Sequence, residues 1–317
     1  MQRVLLTDHI ADAAVHVFDD YPGVEAHRIG TPTHAELLEM IADYDAIIVR
    51  SPTRVTADVI EAGRRLKFIG RAGVGVDNID VYAAARRNVV VMNSPGANTV
   101  STAEHTIAVM LAVARHLPRA HASLVAGRWE RGEFRGMELC GKTLGVIGLG
   151  RVGREVARRM AAFEMRVLGA DPFVSAEAAA AAHAQLVPLE VLIAESDWIT
   201  VHVPLAADTM GLIGAAKIAR MKDGVVIVNC ARGDVVDEHA LADALEAGKV
   251  AAVGLDVFAQ EPPGRHRLFS HPRSVFTPHI AAATAEAQLR VATDIARAVA
   301  DALSGKGVRD AIGPPGP

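Results

Sequence analysis

Residues 144–153 read Leu-Gly-Val-Ile-Gly-Leu-Gly-Arg-Val-Gly and run directly into Arg-Glu-Val-Ala-Arg-Arg-Met-Ala-Ala-Phe at 154–163. The apolar run predicts a buried strand over Thr143–Gly148, and the periodic stretch after it predicts a helix over Arg154–Phe163. Between them stand Gly148, Gly150 and Gly153, the GxGxxG spacing. Glycines at such a turn let the backbone approach a pyrophosphate that a Cβ would hold away, and the helix N-terminus then faces its charge. Alone, this spacing also fits an ordinary tight turn. Here a second strand, Arg166–Ala170, follows and ends at Asp171, twenty-one residues after Gly150, where a ribose-binding carboxylate belongs. The stretch therefore reads as a dinucleotide site. Asp171 would accept hydrogen bonds from the ribose hydroxyls and repel a 2′-phosphate, and Pro172 and Phe173 follow it rather than an arginine. NAD, not NADP, is the expected cofactor.

The same alternation extends outward in both directions. Further strands are predicted at Arg3–Thr7, Ala46–Arg50, Phe68–Arg71, Val89–Asn93, Trp198–His202, Val225–Asn229 and Val250–Asp256, with helices such as His34–Ala42 and Glu238–Ala247 between strands. Buried-type strands alternating with helices argue for an α/β fold of two doubly wound, parallel-sheet, Rossmann-like domains. Two long helices are expected to join them. One spans Ser101–Ala126, opened by the capping pattern Ser101-Thr102-Ala103-Glu104; the other spans Thr284–Leu303. The last stretch, GKGVRDAIGPPGP, is rich in Gly and Pro and is expected to be loose.

Composition narrows the function. The 317 residues are half hydrophobic and 22% charged, with a net charge of −4, which suits a globular core and gives no reason to expect nucleic acid or an anionic membrane as partner. No apolar run approaches a membrane span and no signal peptide opens the chain. Cys140 and Cys230 are too few for a disulfide framework. A cytoplasmic protein is expected.

Three ionisable residues sit just beyond predicted strands: Arg232 in VVIVNCARG, Glu261 in LDVFAQEPP and His279 in VFTPHIAAAT. A 2-hydroxy-acid oxidation needs these types. A guanidinium holds the carboxylate in its planar fork, an imidazole takes the hydroxyl proton as hydride leaves the same carbon, and a carboxylate orients and stabilises the imidazolium. Singly, each has an ordinary reading: a helix cap, a solvated acid, a satisfied histidine. Spacing alone does not bring them together.

The segments GLGRVGREVA, VNCARGDVVDE, LDVFAQEPP and TPHIAAATAEAQ nevertheless resemble, in order, the signatures of the D-isomer-specific 2-hydroxyacid dehydrogenases, and the likeness runs from IIVRSPTRVTADVI through GRAGVGVDNID and VMNSPGANTVSTAEHT to the final helix. The resemblance implies that Arg232 binds the carboxylate and that Glu261 pairs with the acid–base residue His279. It implies an NAD site of Gly148, Gly150, Arg151, Val152, Gly153 and Asp171, with further contacts from Val74, Val203, Cys230, Ala231, Arg232, Asp256, His279, Ala281 and Ala282. It implies a substrate-binding domain of residues 1–97 and 283–317 around an NAD-binding domain of residues 98–282, a cleft site, no metal, and a homodimer joined through the long helix and the loop GRWERGEFRG. The likeness is strongest to members acting on 3-phospho-D-glycerate, whose anionic groups would meet Arg50, Ser51, Arg71, Gly73, Val74, Arg131, Arg232 and His279. No appended regulatory domain is expected after the last helix. Glyoxylate or hydroxypyruvate reductases and D-lactate-type enzymes are the alternatives within the class; formate dehydrogenases carry Gln where Glu261 stands. From another class, a dinucleotide-sensing corepressor could share the triad but would bring additional interaction segments.

Overall fold

A computed structural model of the chain describes residues 1–313. The chain forms two compact units, Met1–Asn98 together with the segment from Ala283 onward, and Thr99–Ala282. In the first unit, strands β1 (Gln2–Leu6), β2 (Val24–Arg28), β3 (Ala46–Val49), β4 (Phe68–Arg71) and β5 (Val90–Asn93) lie in the order β5-β4-β3-β1-β2, all parallel. The β-branched and leucine side chains of the inner strands are buried on both faces, while those of the edge strand β2 are partly exposed. One face is covered by the Ala285–Leu303 helix, whose first turn is capped by the Thr284 side chain. This helix lies so close to β4 that a Cβ on Gly70 would stand 2.8 Å from Ile295 and 2.9 Å from Val299.

In the second unit, β6 (Thr143–Ile147), β7 (Arg166–Ala170), β8 (Gln185–Leu186), β9 (Trp198–Val201), β10 (Val225–Asn229), β11 (Val250–Leu255) and β12 (Val275–Phe276) are parallel in the order β12-β11-β10-β9-β6-β7-β8. Strand order reverses between β6 and β9. In open α/β sheets the crevice beyond the carboxyl ends of the strands at such a reversal is the ligand site. Both faces are again covered, by apolar clusters around Trp198 on one side and Ile199 on the other.

Three expectations are corrected. The helix expected over Ser101–Ala126 is two helices, Thr99–Arg115 and Leu117–Val125, broken at His116, which takes the left-handed conformation at φ 54°. Pro118 is the reason: in a continuous helix it could not donate to the Ala114 carbonyl and its ring would press against it. That carbonyl accepts instead from the Met137 amide at 3.0 Å. Nor does Ser101 cap the first of these helices, which starts at Thr99 and leaves Ser101 buried inside it. The tail is not wholly loose either, since Ala311–Ile312 pairs antiparallel with β5; residues 314–317 of that expectation lie outside the described residues. No helix among the described residues is long and apolar enough to cross a membrane.

Candidate active site

The turn after β6 uses its glycines in three ways. Gly148 has φ +91°, and a Cβ there would stand 2.7 Å from the His202 carbonyl oxygen and 2.9 Å from the Val203 side chain. The turn after β6 thus abuts the one after β9, at the point where strand order reverses. A Cβ on Gly153 would come within 1.9 Å of the Gly148 carbonyl oxygen, so this position packs helix against strand. Gly150 differs: a Cβ there would meet no atom of the chain within 4 Å. It is the exposed N-cap of the Arg151–Ala161 helix, with Arg151 exposed and Val152 partly buried behind it. Its bare face, at a helix end whose first N–H groups lack intrahelical acceptors, is a cradle for an anion. Asp171 is tied to this turn, its Oδ2 accepting from the Leu149 amide at 2.8 Å and its Oδ1 from the Phe173 amide at 2.9 Å. Each oxygen keeps a further lone pair for a ribose hydroxyl. These residues fit the pyrophosphate and adenosine ribose of a dinucleotide.

Beyond β9, His202 meets Thr200 Oγ1 at 3.0 Å. The residue keeps some exposed surface, yet burial of its ring pushes the imidazole down to about 4, so it is neutral at physiological pH.

Beyond β10 comes the turn Cys230-Ala231-Arg232. The buried Asn229 side chain holds it from both ends, donating to the Arg232 carbonyl at 2.8 Å and accepting from the Ala231 amide at 2.9 Å. Burial pushes the Cys230 thiol up to about 12, so it is a neutral wall rather than a nucleophile. Gly233 next to Arg232 allows this turn to lie against the Phe258–Ala259 backbone, 1.9 Å from where its Cβ would be. The Glu261 loop is thereby brought beside Arg232, whose charge is one of the influences on the Glu261 carboxyl.

His279 and Glu261 meet: Nδ1 and Oε2 are 2.7 Å apart. Burial pushes the Glu261 carboxyl upward, but the hydrogen bond and charge of His279, the Phe258 amide and Arg232 together hold it below the usual carboxylate range. An ionised carboxylate only accepts, so Nδ1 carries a hydrogen, and in the neutral imidazole the lone pair stands on Nε2. His279 itself has φ 52°, a left-handed backbone costing a non-glycine residue about 1–2 kcal/mol. Asp256, fully buried at the end of β11, holds it there. The Asp256 carbonyl accepts from the His279 amide at 2.8 Å, Oδ1 from Ile280 at 2.9 Å, and Oδ2 from Ala281 at 2.8 Å. Thr277 donates to Oδ1 at 2.5 Å, and His105 Nε2 stands 3.3 Å from the same oxygen. Burial pushes the Asp256 carboxyl up, and these hydrogen bonds outweigh it and keep the group ionised. In this arrangement the Asp256 carboxylate is engaged with its own loop, and Ala282 lies just past the last amide it holds.

In the first unit, Arg50 and Ser51 fall on the turn after β3, Arg71 ends β4, and Gly73 and Val74 fall on the turn after it. Arg71 donates through Nη2 to Ser51 Oγ at 2.8 Å and through Nη1 to the Ala72 carbonyl at 2.7 Å. Val74 is exposed, and its carbonyl accepts from the Asn93 side chain, while the Gly73 carbonyl accepts from the Ser94 amide. Arg131 begins a short 3-10 turn in the second unit; near it Trp129 is exposed and Phe134 lies under the Arg119 guanidinium, 5.5 Å from ring centroid to Cζ. Sequence reasoning passed over Asn229 and His105, although a polar residue closing an apolar strand, and a histidine within an alanine-rich helix, were signals available to it.

With this geometry in hand, the chain is a member of the D-isomer specific 2-hydroxyacid dehydrogenases: the model of that family's NAD binding domain matches residues 107–281, more than half of the chain. Among its relatives, a D-3-phosphoglycerate dehydrogenase of Archaeoglobus fulgidus is 51% identical across 99% of this chain and 59% of its own length, and one of Rattus norvegicus is 44% identical across 98% and 58%. The chain thus spans about three fifths of the length of these relatives. Among solved structures, a glyoxylate reductase from Paecilomyes thermophila aligns over 98% of both chains with a TM-score of 0.89 and 32% identity.

Proposed function

We propose that the chain is an NAD-dependent dehydrogenase that oxidises 3-phospho-D-glycerate to 3-phosphohydroxypyruvate, the chemistry that opens serine synthesis, working as a cytoplasmic homodimer. The observation that carries the reaction type is the 2.7 Å contact between His279 Nδ1 and an ionised Glu261, beyond a glycine turn open only at Gly150. NAD, when bound, supplies the hydride acceptor. Gly148, Gly150, Arg151, Val152, Gly153 and Asp171 would hold its pyrophosphate and ribose, and Val74, Val203, Cys230, Ala231, Asp256, Ala281 and Ala282 are assigned to the rest of its surroundings. Asp256 serves there chiefly through the amides it orients. Arg232 holds the substrate carboxylate in its fork and draws electron density toward it. His279 Nε2 takes the hydroxyl proton as the C–H bond breaks, and Glu261 stabilises the imidazolium that results.

The substrate assignment is supported by the relatives named D-3-phosphoglycerate dehydrogenase and by the arginines left over once Arg232 is committed. Arg50 and Arg71, with Ser51, Gly73 and Val74, would take the second anionic group, joined by Arg131. On this reading the first unit supplies Arg50, Ser51, Arg71 and Gly73 to the acid, while the second supplies Arg131, Arg232, His279 and most of the cofactor site. Leu117, Leu124, Val125 and Trp129 are all more than half exposed, an apolar surface on the helix and loop assigned to the dimer. The test is NADH formation from a panel of 2-hydroxy acids, with and without phosphate, in the parent and in Arg131→Ala. Equal turnover of unphosphorylated acids, unaffected by the substitution, would replace phosphoglycerate by glyoxylate or hydroxypyruvate as the substrate pair.

A further inference from the structure

Asp8 is a carboxylate that the reaction does not call for. It follows the end of β1, only 3% exposed, and with His9 forms two consecutive residues in the left-handed backbone region, at φ 64° and 51°. Side-chain-bearing residues seldom adopt that conformation, and where they do the surroundings must hold them. What surrounds Asp8 is the turn after β3. Its Oδ2 accepts from the Arg50 amide at 2.7 Å and the Thr53 amide at 3.3 Å, and its Oδ1 accepts from the Thr53 hydroxyl at 2.7 Å. Asn78 holds the same turn from its carbonyl side, donating to the Arg50 carbonyl at 2.8 Å and the Thr53 carbonyl at 2.6 Å. The backbone of Arg50–Thr53 is therefore fixed by two side chains distant in sequence, one taking its amides and the other its carbonyls.

The place in the fold gives this meaning. The order β5-β4-β3-β1-β2 reverses between β1 and β3, so the crevice of this sheet opens beyond the ends of those two strands. Asp8 follows one and Arg50 the other. A buried carboxylate beside a turn meant to receive an anion works against binding by charge, and its donors here are all neutral groups. Geometry accounts for its presence where charge does not.

We propose that Asp8 is a positioning residue for substrate recognition, which sets the Arg50–Thr53 turn so that Arg50 and Ser51 meet the anionic groups of the acid. This rests on the substrate reading above. An interaction that orients a binding turn equally for substrate and transition state changes KM and spares kcat. In Asp8→Ala, KM for the acid rises about tenfold, kcat stays within about threefold, and KM for NAD is unmoved. Asp8→Asn, which keeps one acceptor oxygen, falls between. Hydrogen exchange read at the Arg50 and Thr53 amides of the full chain accelerates about tenfold or more in Asp8→Ala. Should Asp8→Ala fail to fold, Thr53→Val removes the 2.7 Å hydroxyl bond alone, with a smaller effect in the same direction. Unchanged protection of both amides overturns the proposal, as does an unmoved KM for the acid or an equal rise in KM for NAD. Failure of the substrate reading would look different: the parent chain itself would not turn over the acid, while the two amides would still report whether Asp8 holds the turn.

Discussion

Gly150→Ala separates folding from cofactor binding at one atom. An added methyl meets nothing within 4 Å, and the backbone, at φ −65° and ψ −162°, is open to alanine. The folding cost is confined to exchanging glycine for alanine at an N-cap, at most about 1 kcal/mol, or a fall in Tm of roughly 2–4 °C for a unit of this size. The ligand cost is larger. The methyl fills the space a pyrophosphate oxygen would take, and losing one charge-assisted hydrogen bond costs about 1.5–3 kcal/mol, raising the Kd for NAD by about tenfold to a hundredfold. Gly153→Ala should behave in the opposite way. Its methyl would sit 1.9 Å from the Gly148 carbonyl oxygen, and the backbone shift needed costs about 1–3 kcal/mol whether or not NAD is present. Thermal unfolding with and without NAD, together with calorimetric titration of NAD, distinguishes the two variants. A Gly150→Ala protein that binds NAD as tightly as its parent would refute the cradle.

Asp171→Ser should narrow the preference for NAD over NADP by about tenfold or more in kcat/KM; equal preference in the parent chain would remove Asp171 from its role. His279→Ala should lower kcat by about a hundredfold or more with NAD affinity retained, whereas Glu261→Gln should cost less and move the rising limb of the oxidation pH profile toward lower pH, because the imidazolium loses its counter-charge. Asp45 is buried and accepts from the Arg3 amide at 3.0 Å and Arg65 at 2.7 Å, with Lys67 at 3.3 Å; although burial pushes its carboxyl up, these partners hold it below the ordinary value. Its folded pKa lies under its unfolded one, so its contribution is complete above about pH 4 and is lost as pH falls through the folded value. Asp45→Asn should therefore lower Tm at neutral pH and converge with the parent in acid; a constant difference across pH would count against it. Light scattering should give about twice the 33.4 kDa chain mass, and a stable active monomer at micromolar concentration would exclude the dimer.

What could be read in the sequence follows burial. Nine strands of continuous β-branched and aliphatic residues were legible because they lie inside sheets covered on both faces. The four that were not are edge strands: Val24–Arg28 is interspersed with charge and histidine, Gln185–Leu186 and Val275–Phe276 have two residues each, and Ala311–Ile312 sits among turn formers. The break at His116 was hidden by the helical periodicity on either side, although Pro118 marked it. Within the site, the meeting of His279 with Glu261 became an expectation only through family resemblance, since nothing in an eighteen-residue separation specifies contact. Asp8, Asn78 and His105 stayed silent for a related reason: each acts on backbone groups or side chains far along the chain, and single residues of these types occur in any sequence. Asn229 acts locally, on Ala231 and Arg232, but a lone asparagine closing a strand specifies no such turn.

The Ala285–Leu303 helix and the Ala311–Ile312 strand finish a sheet whose other strands precede Asn98. On the ribosome the consequence is a delay. At about 5–20 residues per second, some 10–40 s separate the emergence of β5 from that of the helix that covers it. Through that interval Val4, Leu6, Ile48 and Met92 lack the Ile295 and Val299 side chains that cluster with them in the finished unit, while the contiguous Thr99–Ala282 unit can complete its own core. The half-covered first sheet is then the apolar surface most open to chaperones and to other nascent chains. A lesion that shortens the polypeptide before Ala285 would make that temporary exposure permanent, with aggregation rather than a trimmed but working protein as the outcome.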